Sequence, residues 1–312
     1  MVGYIVRRLL DTIVVVFIVT LFVFVLLHAM PGGMVRSQLG IRASPVEIHA
    51  LEQQEGLLHP LPEQYLIWLG NLVHGSLGFS YKLNQSVGSL LGEYVPRTLL
   101  LVGAAETIAL AIAVPAGLWQ GKRRNHLDDH GLTAIMMTFY SMPSFLLGVV
   151  LIVILNIWLG ILPATAQGFG TGWGADLLGL VLPVMTLALA GISYFSRYMR
   201  SAVIDSLLED YVRTAYAKGA SGRRVLFRHV LRNSLLGTVT LVGLAIPYVL
   251  SGSLIVEALF DFPGVGLLFF NAAQDRDYPV LLGVLLVITL ATVVGNLLAD
   301  IAYAVLDPRV RY

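Results

Sequence analysis

The 312-residue sequence has no cysteine and few charged residues. Without cysteine, disulfides, thiolate metal sites and cysteine nucleophiles are excluded. Charged residues make up 12% of the chain, hydrophobic residues make up 57%, and the net charge is +1. The mean hydropathy of +0.79 lies above the range of water-soluble domains, and the apolar residues form long blocks. The chain is therefore predicted to lie in a membrane.

Several catalytic motifs are also missing from the sequence. It contains no G-x-x-x-x-G-K-[ST] phosphate loop, no G-x-S-x-G nucleophile turn and no H-E-x-x-H zinc motif. It has no cluster of residues with metal-ligand spacing, so no metal site is predicted. If ATP is hydrolysed, the nucleotide and its Mg²⁺ are expected to be bound by another chain.

Six apolar segments are long enough to cross about 30 Å of hydrocarbon as helices of about 20 residues. Helices are favoured over barrel strands because the segments are continuous and lack a period of two. We predict an all-α fold with one transmembrane domain over residues 1–312, an external loop over 31–97 and a cytoplasmic loop over 197–234. The predicted spans are residues 9–30, 98–120, 132–159, 177–195, 235–259 and 280–306.

The positions of the basic residues predict the orientation of the spans. Fifteen of the 20 Lys and Arg residues fall on the side that holds both termini, and basic residues favour the cytoplasmic side. Both termini are therefore predicted to be cytoplasmic. In the external loop, helical spacing after Pro62 predicts a short helix at the membrane surface, with Tyr65 and Trp68 at headgroup level.

The cytoplasmic segment "EDYVRTAYAKGASGRRVLFRHVLRN" concentrates basic residues. One interpretation is an anchor on anionic membrane lipid. The other is a short helix, interrupted at Gly219 and Gly222, whose small residues form a compact surface for another protein. These small residues are Ala215, Ala217, Gly219 and Ala220.

Four stretches resemble one family of transport proteins. "DYVRTAYAKGAS" followed by "VLFRHVLRNSL" is similar to the cytoplasmic signature loop of ABC-importer permease subunits of the dipeptide, oligopeptide and nickel branch. In the wider family this loop begins with Glu-Ala-Ala four residues before a glycine. Here Arg213, Thr214 and Ala215 precede Gly219, so Arg replaces the Glu, as is common in the peptide branch. The amino terminus, "VEALFDFPGVGLL" and "DIAYAVLDPRVRY" resemble the same branch.

The resemblance implies an importer subunit in a bacterial or archaeal cytoplasmic membrane. Residues 211–220 would form a coupling helix between spans four and five that docks on a cytoplasmic ATPase. The expected partners are a second, homologous permease, two ATPase subunits or one fused pair, and an extracytoplasmic substrate-binding protein; nucleic acid is not expected. The residues assigned to coupling are Tyr211, Arg213, Thr214, Ala215, Ala217, Lys218, Gly219 and Ala220.

Candidate residues for the translocation pathway are Glu106, Glu257, Pro263 and Gly264. A carboxylate at the position of Glu106 normally faces a bundle interior or a wet cavity, where it would meet a peptide's amino group. Alternatively, Glu106 pairs with a neighbouring helix or is protonated. The resemblance places the segment 260–279, with its "FPGVG" turn, against the pathway or the binding protein.

Two functional alternatives stay open at this point. In the same family, the transported solute could be nickel or another small molecule instead of a peptide. In a different class, a stand-alone intramembrane enzyme or secondary transporter would use Glu106, Asp300 and His28 for proton chemistry. The missing catalytic motifs and the lack of an inverted repeat argue against that second class.

Overall fold

The computed structural model describes residues 10, 13–22, 24–25, 44–54, 56–166 and 172–306, without the side chains of 51, 54, 173, 175, 239–240, 244–252 and 299–306. A short antiparallel hairpin pairs β1 (Phe79–Ser80) with β2 (Gln85–Ser86). Two π-helical segments cover Ile152–Trp158 and Val225–Val230. In chain order the helices are α1 (Ile13–Phe22), α2 (Pro45–Gln54), α3 (Leu61–Val73), α4 (Val87–Lys122), α5 (Leu127–Ser141), α6 (Ser144–Leu151), α7 (Trp173–Leu208), α8 (Asp210–Ala217), α9 (Gly222–Arg224), α10 (Leu231–Leu259), α11 (Val265–Asp275) and α12 (Tyr278–Leu306).

The described chain divides into two compact units, and one division falls within α4. The first unit contains the described residues through Thr98 together with Pro263–Val293. The second contains Leu99–Phe262 and the part of α12 from Val294 onward. The single domain expected from the sequence stays a prediction.

In the first unit, α3 packs on α1 through an aromatic cluster around Tyr65. The Tyr65 ring lies 5.7 Å from the ring of Phe17 and 5.4 Å from that of Phe24, and its hydroxyl lies 2.9 Å from Thr20 Oγ1. The predicted helix after Pro62 is confirmed as α3. The Tyr65 side chain is 4% exposed, and both its ring and its hydroxyl contact α1, so it faces the protein; its position at headgroup level stays a prediction.

Two side-chain hydrogen bonds hold the segment around α11 in the first unit. The backbone N–H of Val265, the first residue of α11, donates to Thr98 Oγ1 at 2.8 Å. After α11, the hydroxyl of Ser80 donates a short hydrogen bond to the carboxylate of Asp277. Asp277 is 1% exposed, and this burial raises the pKa of its carboxyl group.

In the second unit, α4 and α7 approach each other closely through small residues. A Cβ atom on Gly117 would lie 2.6 Å from Met199 Cβ and 2.7 Å from the Ser196 carbonyl oxygen. A Cβ on Gly121 would lie 2.6 Å from Val203 Cγ1. Such contacts are a common way for membrane helices to pack, because small residues let the backbones come together. The small residues recur every fourth position along α4, at Ala105, Ala109, Ala113, Gly117 and Gly121.

The third predicted span is broken in the structure. The sequence predicts a span over 132–159, and within it α5 and the helix from Ser144 to Trp158 bend by 108°. Met142 at the break is extended, with ψ 129°, as expected for a residue before a proline. Pro143 then stands at the start of α6. The bent pair can together form one span, and the proline supplies the physical reason for the bend.

The other predicted spans differ from the structure mainly in their ends. Among the described residues, α4, Asp176–Leu208 and Tyr278–Leu298 are long and apolar enough to cross a membrane, and the bent pair passes the same test together. Helix α10 has 29 residues. Of the first predicted span, α1 covers ten residues and much of the rest lies outside the described residues. Helix α7 continues to Leu208, so the first 12 residues of the predicted loop 197–234 are helical.

Candidate functional site

Helix α8 is the centre of the candidate site. The backbone conformation at each of its ends separates it from the neighbouring helices. At its start, Glu209 is extended, with ψ 147°, and so ends α7 and precedes α8. At its end, Gly219 adopts φ +76°, a left-handed conformation that glycine reaches without steric cost. The N–H of Gly219 donates to the Tyr216 carbonyl at 2.9 Å and the N–H of Ala220 donates to the Ala215 carbonyl at 3.1 Å. These two bonds form a Schellman motif, which stops the helix at a defined residue.

One side of α8 packs against the chain's own second unit. Val212 and Ala215 are 3% and 8% exposed and belong to a core that also contains residues of α4, α7 and the π-helical turns before α10. Tyr211 is half-buried, and its hydroxyl has no hydrogen-bond partner among the described residues. These contacts fix the orientation of α8 on the second unit and determine which of its sides faces outward.

The opposite side of α8 is exposed. We call this side the outer face; its residues are Arg213, Thr214, Tyr216, Ala217, Lys218 and Gly219, with Tyr216 50% exposed. An added Cβ on Gly219 would meet no atom within 4 Å. The outer face is therefore an open surface that combines short side chains with basic residues and the exposed ring of Tyr216.

The structure corrects two details of the predicted surface. Ala215 does not contribute to the exposed small-residue surface, because it lies in the core, and Ala220 is half-buried. Gly222 does not interrupt a helix. It lies in the first turn of α9, where Ser221 is the N-cap residue and its Oγ accepts from the backbone N–H of Arg224 at 3.5 Å.

The basic residues of this segment are largely unpaired. Arg213 lies 3.3 Å from Asp210 in an exposed pair on the same helix, and such pairs contribute little to stability. Within the described part of the chain, none of the other basic residues of the segment has an ion-pair partner within 4.0 Å. They are exposed and leave a positively charged surface for another molecule: Lys218, Arg223, Arg224, Arg228 and Arg232.

The candidate pathway residues lie in both units. Glu106 is half-buried on α4, near Gly191 of α7, and its Oε2 has no hydrogen-bond partner among the described residues. Glu257 is fully buried near the end of α10. These two belong to the second unit, whereas Pro263 and Gly264 belong to the first, where Gly264 is the buried residue that precedes α11.

Much of the segment 260–279 packs inside the protein. Phe260, Phe262 and Tyr278 are each at most 1% exposed. The exposed residues are Asp261, most of the second half of α11 and Arg276, with Phe270 50% exposed. Within the described residues, no group of three or more His, Cys, Asp or Glu residues has the arrangement of a metal site.

Two family models match almost the whole chain. The model "Binding-protein-dependent transport system inner membrane component" matches residues 113–312, which include the whole of α8 and its outer face. The chain belongs to this family. A second model, for the N-terminal part of such membrane components, matches residues 1–102. The membership predicted from the signature loop is confirmed, and this transport component has a non-catalytic role.

Curated relatives of this transport component match over its full length. The oligopeptide transport system permease protein AppB of Bacillus subtilis (strain 168) is 38% identical over 316 residues, covering 100% of both chains. The oligopeptide permease OppB of Haemophilus influenzae is 36% identical and the glutathione permease GsiC of Escherichia coli (strain K12) is 34% identical, again with 100% coverage of both chains.

A solved structure supports the fold of this transport component. An inward-facing structure of the MetNI methionine ABC transporter aligns with a TM-score of 0.53 and 17% identity. The alignment covers 68% of this chain and 96% of the other. At this identity the match concerns the fold alone.

Sequence reasoning missed an ion pair beside the site, between Asp129 of α5 and Arg200 of α7. The two residues are 71 positions apart, and neither stands in a motif. Asp129 follows another acidic residue at the start of a helix, which is a common position for a carboxylate. Nothing in the sequence distinguished it from that ordinary role.

Proposed function

We propose that this chain is a transmembrane permease subunit of an ATP-driven importer of peptides. Its relatives are named for oligopeptides and for glutathione, itself a peptide, which favours peptides over nickel as the solute. In this proposal the chain spans the cytoplasmic membrane with six helices and has both termini in the cytoplasm. Helix α8 then lies on the cytoplasmic side, where a partner can reach it.

The observation that carries the proposal is the outer face of α8. A short helix that is buried on one side and open on the other fits a groove on a second protein. Its small residues allow close approach, and its basic residues complement acidic groups. We assign this docking to an ATPase subunit, which would bind ATP and Mg²⁺, since the sequence contains no phosphate loop of its own.

The complete importer would contain further subunits. A second, homologous permease would provide the other half of the pathway, and two ATPase subunits or one fused pair would dock on the two permeases. A substrate-binding protein would deliver the peptide from outside. Closure of the ATPases would move each α8 as a rigid body and so switch the pathway between its two sides.

The test is an affinity purification of the tagged chain from native membranes in mild detergent, with the bound proteins identified by mass spectrometry. Ala217 is the position to change, because it is exposed and lies within α8. We expect Ala217→Trp to reduce ATPase recovery about tenfold or more, since a clash in a close-packed contact costs about 1–3 kcal/mol. Gly219→Trp is less informative because any side chain is strained at φ +76°.

Gly131→Trp is the matched control. Gly131 is exposed, and an added Cβ would meet no atom within 4 Å, so this variant should recover the ATPase normally. Native recovery with Ala217→Trp would contradict the docking role of α8. Failure of the native chain to recover any ATPase would contradict the importer itself. The recovered binding protein should release peptides when denatured, and release of Ni²⁺ instead would contradict the peptide assignment.

A further inference from the structure

Helix α5 is joined to α7 by an ion pair between a buried aspartate and an arginine whose side chain is 22% exposed. Arg200 Nε and Nη2 each donate to an oxygen of the Asp129 carboxylate at 2.7 Å. Asp129 is fully buried and also accepts from the backbone N–H of Asn125 at 3.0 Å. Two parallel bonds to one carboxylate fix the guanidinium in position and orientation, which a single bond does not do. The pair therefore sets the register between the two helices.

Further contacts continue the attachment along α5. Arg197 lies over the ring of Tyr140, with its guanidinium carbon 4.2 Å from the ring centroid. The hydroxyl of Ser193 lies 3.8 Å from the sulfur of Met136. The contact with Asp129 lies at position 200 of α7, whereas the contact with Met136, seven residues later on α5, lies at position 193, so the two helices run antiparallel. Helix α5 is thus held to α7 over most of its length.

The attachment ends where the chain bends. Directly after α5, Met142 is extended and Pro143 begins the next helix, which turns by 108°. We call residues 139–146 the break. A rigid α5 would transmit any displacement to this point, where Met142 and Pro143 interrupt the helical backbone.

Arg200 is also close to the candidate docking element along the chain. It lies eight residues before the end of α7, about 12 Å along the helix axis, and α8 begins after one extended residue, Glu209. A displacement of α8 would therefore pass into α7 near the ion pair.

We propose that Asp129 and Arg200 are positioning residues that make α5 move as one body with α7 and α8, so that movement of α8 reaches the break. This inference rests on the proposed docking of α8 on an ATPase. The ion pair suits the role because it fixes one arrangement of two helices. For stability alone, a well-packed apolar pair would serve as well or better.

The test compares hydrogen exchange of the purified importer without nucleotide and after trapping with ATP and vanadate. In the native complex we expect nucleotide to change exchange both in α8 and at the break. In Asp129→Asn, the change in α8 should persist, whereas the change at the break should fall about fivefold or more, the lower end of typical couplings between sites. ATP hydrolysis should continue, because the ATPase surface is untouched.

Two further variants keep the result interpretable. Asp129→Asn combined with Arg200→Gln leaves no unpaired buried charge, so it should fold even if the single variant does not, and it should show the same loss at the break. Asp128→Asn is the matched control: Asp128 is the adjacent aspartate, and its carboxylate pairs at 2.7 Å with Arg123 instead of with α7. This control should respond like the native chain.

Three outcomes would overturn the inference. In the first, both Asp129 variants keep the nucleotide-dependent change at the break. In the second, exchange at the break rises equally in both nucleotide states with their difference intact, which would mean that the pair supports the fold alone. In the third, hydrogen exchange in α8 of the native chain does not change with nucleotide. That result would also contradict the proposed function. Because it is seen in the native complex, it can be told apart from a failure of the inference alone.

Discussion

At the scale of single residues, the buried carboxylates of this permease differ in their surroundings. Asp129 has a bidentate arginine partner and Asp277 has a serine donor. Glu106 has one oxygen that is buried and has no hydrogen-bond partner among the described residues. An ionisable side chain within a membrane helix is rare and usually functional, which supports the proposed place of Glu106 in the pathway.

We therefore expect Glu106→Gln to impair the uptake of peptides that carry a positive charge near this point. Glutamine keeps the shape of the side chain but removes its charge, and loss of one charge-assisted hydrogen bond corresponds to about a tenfold change. Uptake can be measured in proteoliposomes that contain the complete importer, with trilysine and trialanine as labelled cargo. Glu93→Gln, which removes an exposed pair with Arg97 on the same helix, is the control. Unchanged uptake of both peptides by Glu106→Gln would exclude a pathway role.

At the scale of helices, the close contact of α4 with α7 depends on residues without a side chain. Gly117 and Gly121 lie one helical turn apart and both face α7. A methyl group at either position would overlap backbone or side-chain atoms of α7. The same helix also carries Gly103, where an added Cβ would meet nothing within 4 Å.

This difference predicts opposite results for the same substitution on one helix. Gly117→Ala should destabilise the protein by about 1–3 kcal/mol, the usual cost of overpacking. Gly103→Ala should be neutral or slightly stabilising, because alanine favours the helix. The measurement is the midpoint of thermal unfolding of the purified protein in detergent. Equal midpoints for the two variants would mean that α4 and α7 are not packed as closely as the structure has them.

At the scale of the whole molecule, the proposed function requires a particular orientation in the membrane. The loop between α4 and α5 must lie on the cytoplasmic side with α8, and the segment between α3 and β1 must lie outside. Both regions contain exposed positions, for example Arg124 in the first and Ser76 in the second. Because the chain has no native cysteine, a single introduced thiol reports its own position.

We expect a membrane-impermeant maleimide, added to intact cells, to label Ser76→Cys and to leave Arg124→Cys unlabelled. After the cells are permeabilised, both variants should react. Labelling of Arg124→Cys in intact cells would reverse the proposed orientation and would place α8 out of reach of any cytoplasmic ATPase. The native chain has no cysteine, so it gives the background signal when it is treated with maleimide in the same way.

Much of the fold was predictable because it depends on local sequence. Length and hydropathy predict membrane helices because a helix satisfies its own backbone hydrogen bonds in lipid. The end of α8 at Gly219 was also predictable, since a glycine after a run of helix formers is a common stop signal. The signature loop around Gly219 identified the family, and the comparisons confirm it.

The helix ends and the two sides of α8 were less predictable. Helix α4 begins at Val87, 11 residues before the predicted start of its span, because helical structure continues beyond the apolar segment. Ala215 looked like part of an exposed surface because alanine fits either side of a helix. Packing against Val212 and its neighbours in the core determined which side it occupies.

The sequence by itself determined that this chain is a mostly helical membrane protein of the importer family and where its candidate docking helix ends. Those properties follow from composition, from backbone preferences and from one continuous motif. The tertiary structure alone decided that Asp129 pairs with Arg200, that Gly117 meets Met199, and which side of α8 is exposed. The physical reason is that these contacts join residues that are distant along the chain, and their partners are chosen by the packing of whole helices.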